Sequence, residues 1–193
     1  MEISILVGMC DINERNIFIN QVRNKLNAEI DIADQGIELC LKAFRNKPDA
    51  IVIDDEFIFK QGKTVLKKIM DECKYTSLVL IGDGMSDPVK EDYRKVADVF
   101  LTRPLRGREF IPNILVNTAQ KKKLWEIENN MKKTEEELES SKHMRFAMHF
   151  IMDNLDMDEE KALEYMDKLE KNTGYDTAEI AEIIFKLFAI KKR

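Results

Sequence analysis

The chain has 193 residues and few that break helices: 7 glycines and 4 prolines. That scarcity excludes fibrous and low-complexity classes and points to a helix-rich globular protein. Cysteine is equally sparse. Cys10, Cys40 and Cys73 are widely spaced and form no CxxC pair and no even framework. They read as reduced, mostly buried thiols of a cytoplasmic protein. The opening stretch MEISILVGMCDINERN carries an acid at position 2 and only a short apolar run. It is expected to be neither a signal peptide nor a membrane span. Positive charge is not in excess either. A net charge of −5 argues against a strongly basic nucleic-acid surface while leaving room for a local patch. What remains is 44% hydrophobic and 35% charged, with length for a domain of about 120 residues and a small second one.

Five short apolar runs alternate with helical patterns in the first 120 residues. The runs are 3–9 (ISILVGM), 28–33 (AEIDIA), 50–54 (AIVID), 77–82 (SLVLIG) and 98–102 (DVFLT). Helical spacing falls at 13–27 through Ile17, Val22 and Leu26, and at 35–46 through Ile37, Leu41 and Phe44. It recurs at 62–73 through Val65, Leu66 and Ile69, more weakly at 87–96, and again at 107–120. Strands alternating with helices predict an α/β domain with a parallel sheet covered on both faces. In such sheets the functional groups gather at the carboxyl ends of the strands. The third run ends there on two acids, Asp54 and Asp55.

The character changes at 121. Over 121–146 there is no strand signal, no glycine and no proline. Leu124, Ile127, Met131, Thr134, Leu138 and Ser141 recur at spacings of three and four, flanked by Lys and Glu. This is a heptad seam, predicted as a coiled-coil dimerisation helix over 121–142, with a lone amphipathic helix as the alternative. A small three-helix all-α domain is predicted over 143–193. Its first helix carries Met144, Ala147, Met148 and Ile151, its second Ala162, Tyr165, Met166 and Leu169, and its third Ile180, Ala181, Ile184, Leu187 and Phe188. DMDEE (156–160) supplies an N-cap acid, Gly174 a C-cap, and Asp176 or Thr177 opens the last helix.

Residues 1–120 resemble the receiver domain of two-component response regulators, a five-stranded parallel flavodoxin-like fold. PDAIVID followed by Gly62 matches the family's phosphoacceptor strand and places Asp54 at the phosphoacceptor position. TRPL (102–105) matches the end of the family's fifth strand. The rest of the resemblance is altered. Where the family has an acid pair after strand one, this chain has Met9 and Cys10, with Asp11 one position on. The family's lysine after strand five is Arg103, and its Ser or Thr after strand four is Gly82. The resemblance implies a pocket of Asp11, Asp54, Asp55, Gly82 and Arg103. Either Asp54 takes a phosphoryl group, with Mg²⁺ held by Asp54 and Asp11, or the receiver is degenerate and Asp54 pairs with Arg103. Phosphoryl transfer rests on electrostatic positioning, and most of it is missing, so the sequence favours the degenerate receiver with no bound cofactor.

HMRFAMHFIMDNLDMDEEKALEYMDKLEKNTGYDTAEIAEII is similar to the ANTAR domain, the RNA-binding module of AmiR- and NasR-type antitermination regulators. Ala147, Ala162 and Ala181 fall where that family has alanines, although Met148 and His149 replace its usual Lys-Gly step. The resemblance implies RNA contacts from Lys142, Arg145, His149, Tyr165, Lys168 and Tyr175. Residues 121–193 carry 14 Lys+Arg against 17 Asp+Glu, a net of −3, which argues against tight generic binding and less against reading of RNA loops. The expected function is therefore a dimeric antiterminator that holds hairpin loops in leader mRNA and is not an enzyme. A sensor protein, or a histidine kinase, is expected to control it through the receiver-like domain. The alternative is a protein-interaction adaptor or a phosphorylation-controlled regulator without RNA binding.

Overall fold

A computed structural model describes residues 2–61, 63–83 and 97–189. The helix expected at 87–96 and the motif glycine Gly62 lie outside the described residues. The described chain divides into two compact units, Met1–Glu126 and Ile127–Arg193.

The first unit is built on one parallel sheet of five strands: β1 (Ile3–Gly8), β2 (Ala28–Ile32), β3 (Ala50–Asp54), β4 (Ser77–Gly82) and β5 (Val99–Thr102). Their order is β2-β1-β3-β4-β5. β3 and β4 are buried along their whole length, which is why they read as unbroken apolar runs rather than alternating ones. Successive residues of β3 feed opposite cores. Ala50 and Val52 join Val7, Met9, Phe18 and Phe110, while Ile51 and Ile53 join Leu6, Leu39, Phe57 and Leu66. The first core is covered by α1 (Ile12–Arg23) and the start of the long helix α5 (Gly107–Leu155), whose Phe18 and Phe110 rings stack at 4.9 Å. The second is covered by α2 (Gly36–Asn46), α3 (Asp55–Gln61) and α4 (Lys63–Glu72).

Two helical faces differ from the sequence expectation. In α1 the buried residues are Phe18, Ile19 and Val22, and Ile17 is exposed. In α2 they are Gly36, Leu39 and Ala43, whereas Ile37 and Leu41, expected inward, are 74% and 65% exposed. Both helices offer two apolar stripes, and the sheet covers one of them.

α5 is a 49-residue helix, so the change of pattern at 121 marks a change of surroundings and not a helix end. Lys and Glu flank its seam, and Leu124, Ile127, Met131 and Leu138 are all exposed along it. In the second unit the last part of α5 packs with α6 (Glu159–Thr173) and α7 (Thr177–Phe188). Ala147, Ala162, Ala181, Ile151, Met166 and Ile180 form its core. Small residues at the centre let the end of α5 and the two short helices approach closely. Asp158 caps α6, Gly174 ends it at φ 76, and Asp176 with Glu179 forms a capping box on α7. Leu187 and Phe188, expected in this core, are exposed instead. Among the described residues no helix is long and apolar enough to cross a membrane.

Candidate functional site

The strand order reverses at β1 and β3, and the carboxyl ends of these strands, with β4 and β5, converge on Asp54. Asp54 is 1% exposed. Its Oδ1 accepts the Phe57 N–H at 2.6 Å, which makes it the cap of α3. Its Oδ2 accepts the Cys10 N–H at 2.8 Å and so ties the β1–α1 turn to β3. Burial pushes the Asp54 carboxyl above its ordinary range; the two backbone donors and Arg103 oppose that rise, and Asp55 adds to it. The α3 helix was not legible from periodicity, because the acid that starts it reads as a catalytic group.

Arg103 is the centre of charge. Its Nε lies 2.9 and 3.0 Å from the two Glu14 carboxylate oxygens and its Nη1 3.0 Å from Asp55 Oδ1. Asp83 is 3.5 Å away, and the Asp54 carboxylate 3.9 Å, beyond hydrogen-bond reach. The expected Asp54–Arg103 pair is thus a secondary contact; Glu14 and Asp55 are the principal partners. Burial alone would lower the Arg103 pKa, but the hydrogen bonds to Glu14 and Asp55 outweigh it and hold the guanidinium charged. Glu14 was missed because nothing in the sequence links it to a cation 89 positions away. The one available signal was its place in the first turn of α1, where an acid suits the helix dipole.

Asp11 does not join this pocket. It is exposed and caps α1, accepting the Glu14 N–H at 2.8 Å. Met9 is buried in the first core. Burial, and then the nearby Asp54 charge, raise the Cys10 thiol, keeping it neutral. Among the described residues no group of three His, Cys, Asp or Glu is placed to hold a metal ion. Mg²⁺ is ordinarily held by one or two carboxylates together with waters, and here Asp54 turns its oxygens to the Phe57 and Cys10 N–H groups while Asp55 is held by Arg103. Pairing of Asp54 with Asp11 around Mg²⁺ was the less favoured expectation; in this structure the Asp11 carboxylate accepts the Glu14 N–H instead.

Gly82 is filled from outside. A Cβ on it would stand 3.2 Å from Asp55 Oδ2 and 3.4 Å from the Phe100 ring. Gly82→Ala is expected to push the Asp55 carboxylate off Arg103 and to lower unfolding stability by about 1–2 kcal/mol, read by urea denaturation.

In the second unit, Lys142, Arg145 and His149 lie on α5 at helical spacing and are exposed. Lys142 pairs with Glu139 at 2.9 Å. Lys168 and Tyr175 are exposed as well, but Tyr165 packs against the helix core and is only half-buried. A feature the sequence reading missed is a row of rings joining α5 to α7. His143 and Phe185 lie 4.3 Å apart between centroids, Phe150 and Phe188 4.4 Å, and Phe146 meets Phe185 edge-on at 5.3 Å. The spacing 143, 146, 150 was its sequence signal.

No protein-family model and no curated protein sequence matches the chain. Solved structures do. The signal receiver domain of a LuxO repressor protein from Vibrio parahaemolyticus is 18% identical with a TM-score of 0.57, over 66% of this chain and 98% of that one. The receiver domain of the Francisella response regulator 1452 is 21% identical with a TM-score of 0.53, over 61% and 98%. The receiver domain of a Pseudomonas aeruginosa sensor histidine kinase, with magnesium in its active-site cleft, is 15% identical with a TM-score of 0.55, over 62% and 99%. The five-stranded unit of this chain therefore has the flavodoxin-like fold of response-regulator receiver domains.

Proposed function

We propose that the chain is an RNA-binding transcription antitermination regulator whose receiver-fold unit takes its signal from a protein partner rather than from phosphate. One observation carries the second half of this reading: both Asp54 oxygens already accept backbone N–H groups, one from Phe57 and one from Cys10. Asp54 here builds structure. Ile37 and Leu41, exposed side by side on α2, are the surface that a controlling protein would cover.

The first half rests on the resemblance of the last three helices to the ANTAR domain. The three alanines that carry the resemblance are all buried at the centre of the second unit. Lys142, Arg145 and His149 on α5, with Lys168 and Tyr175 beyond, supply the cations and the exposed ring that loop recognition uses. The exposed seam Leu124–Ile127–Met131–Leu138 supports a homodimer, which would bring two such surfaces to one RNA. Such a protein makes and breaks no bond.

The test is a gel shift with a two-hairpin leader RNA at low salt. The full chain retards the RNA, and the double variant R145A/H149A binds at least about tenfold more weakly, as expected for two lost base or phosphate contacts. Equal retardation by both proteins would sink the assignment.

A phosphorylation-controlled regulator has one observation in its favour: Arg103 remains 3.9 Å from an acid at the end of β3. A histidine kinase would then be the partner. Incubation with acetyl phosphate and Mg²⁺, followed by intact mass, decides it; the expected result is no phosphate on Asp54.

A further inference from the structure

At the opposite end of the sheet from Asp54, a cavity of about 580 Å³ opens at the entrances to β3 and β4. That volume is in the range of small-molecule sites. Its floor is Ala43, Thr76 and Thr118, all buried. Three aromatic rings wall it: Phe44 from the end of α2, Tyr75 from the turn before β4, and Trp125 from α5. Three lysines, Lys47, Lys74 and Lys122, also line it, against the acids Asp49 and Glu72. Asp49 is committed elsewhere, since its Oδ2 accepts both the Ser4 N–H at 2.9 Å and the Ser4 hydroxyl at 3.0 Å. Lys74 lies 5.4 Å from the Tyr75 ring centre, so cation and aromatic surface are presented together. In a chain of net charge −5 the lining is locally positive.

Each element has a separate chemical consequence. Three rings around one opening favour a flat aromatic body over an aliphatic one, because stacked and edge-on ring contacts add to area burial. The lysines select a negative charge at its edge, and a lysine ammonium reads an oxyanion without demanding bidentate geometry. Thr118, Lys122 and Trp125 fall at helical spacing on one face of α5, so the helix offers the cavity a continuous wall.

We propose that this cavity binds a small planar aromatic anion, its ring held among Phe44, Tyr75 and Trp125 and its acid group among Lys47, Lys74 and Lys122. The site is independent of Asp54 and of the RNA reading. A ligand bound there touches α2, the turn before β4 and α5 at once, which makes it a second input to the first unit.

Trp125 is the only tryptophan, so its emission reports the cavity directly. The probe is 1-naphthoate, titrated into the full chain with Trp125 fluorescence and, independently, calorimetry. The expected result is saturable quenching with one site per chain. The neutral 1-naphthalenemethanol binds at least about tenfold more weakly, the loss expected when a charge-assisted contact is removed. The double variant K47N/K122Q loses affinity for naphthoate by a similar factor. Asparagine suits position 47 because that residue has φ 46, so the fold is retained and far-UV dichroism checks it. Equal affinity for the neutral analogue, no response to the lysine changes, or quenching that never saturates would each overturn the proposal.

Discussion

Asp54→Ala is expected to destabilise the first unit by about 2–4 kcal/mol, the combined loss of a helix cap and of a partner for a second buried N–H. The wild-type carboxylate holds the Phe57 N–H at 2.6 Å and the Cys10 N–H at 2.8 Å. Alanine leaves both donors without that acceptor at the start of α3 and at the β1–α1 turn. Urea unfolding followed by circular dichroism reads the loss. A phosphoacceptor whose only task is chemistry would tolerate the same change with little loss of stability, so a shift below about 0.5 kcal/mol would remove the structural role.

Asp54→Asn separates cap from charge. Its amide oxygen can still take the Phe57 N–H, while its NH₂ faces the Cys10 N–H, donor against donor. The variant also escapes burial of an ionised group. Because burial holds the wild-type carboxyl above its ordinary range, the folded state binds that proton more tightly than the unfolded state. Wild-type stability from this group is therefore present at low pH and is lost as pH rises through the folded pKa. The stability difference between wild type and Asp54→Asn should move in favour of wild type between pH 7.5 and pH 4.5. Movement the other way would mean that the two backbone donors and Arg103 outweigh burial.

The strands were legible because burial on both faces leaves nothing polar to confuse the run: Ile51–Val52–Ile53 and Leu78–Val79–Leu80 read as core and are core. The ends of the second unit's helices were legible because Gly174, Asp176 and Asp158 act through local backbone geometry that spacing reveals. The faces of α1 and α2 were not. Ile17 and Ile37 are as apolar as Phe18 and Leu39, and only packing against the sheet decides between the stripes. Of the expected pocket, Asp54, Asp55, Gly82 and Arg103, read from the strand ends, lie together. Asp11, read into the same pocket, instead caps α1. Glu14 was invisible, because an ion pair across 89 positions leaves no periodicity.

Arg103→Met should lower stability at pH 7.5 by about 2 kcal/mol, the cost of removing one partner from a partly buried charge cluster. Arg103 is shared by Glu14 and Asp55 at hydrogen-bond distance and by Asp83 and Asp54 farther out. Methionine keeps much of the apolar stem and deletes the charge, which leaves these carboxylates to repel one another. The Arg103 charge opposes the rise in the Asp54 pKa, so deleting it drives that carboxyl higher still. A higher folded pKa means more proton uptake on folding, so the variant gains stability on acidification more steeply than wild type. The deficit should therefore shrink as pH falls from 7.5 toward 4.5. Arg103→Lys keeps the charge without the planar fork and should fall between the two proteins at neutral pH. A deficit of the same size at every pH would show that Arg103 acts through packing of its stem, and the electrostatic account of the site would fail.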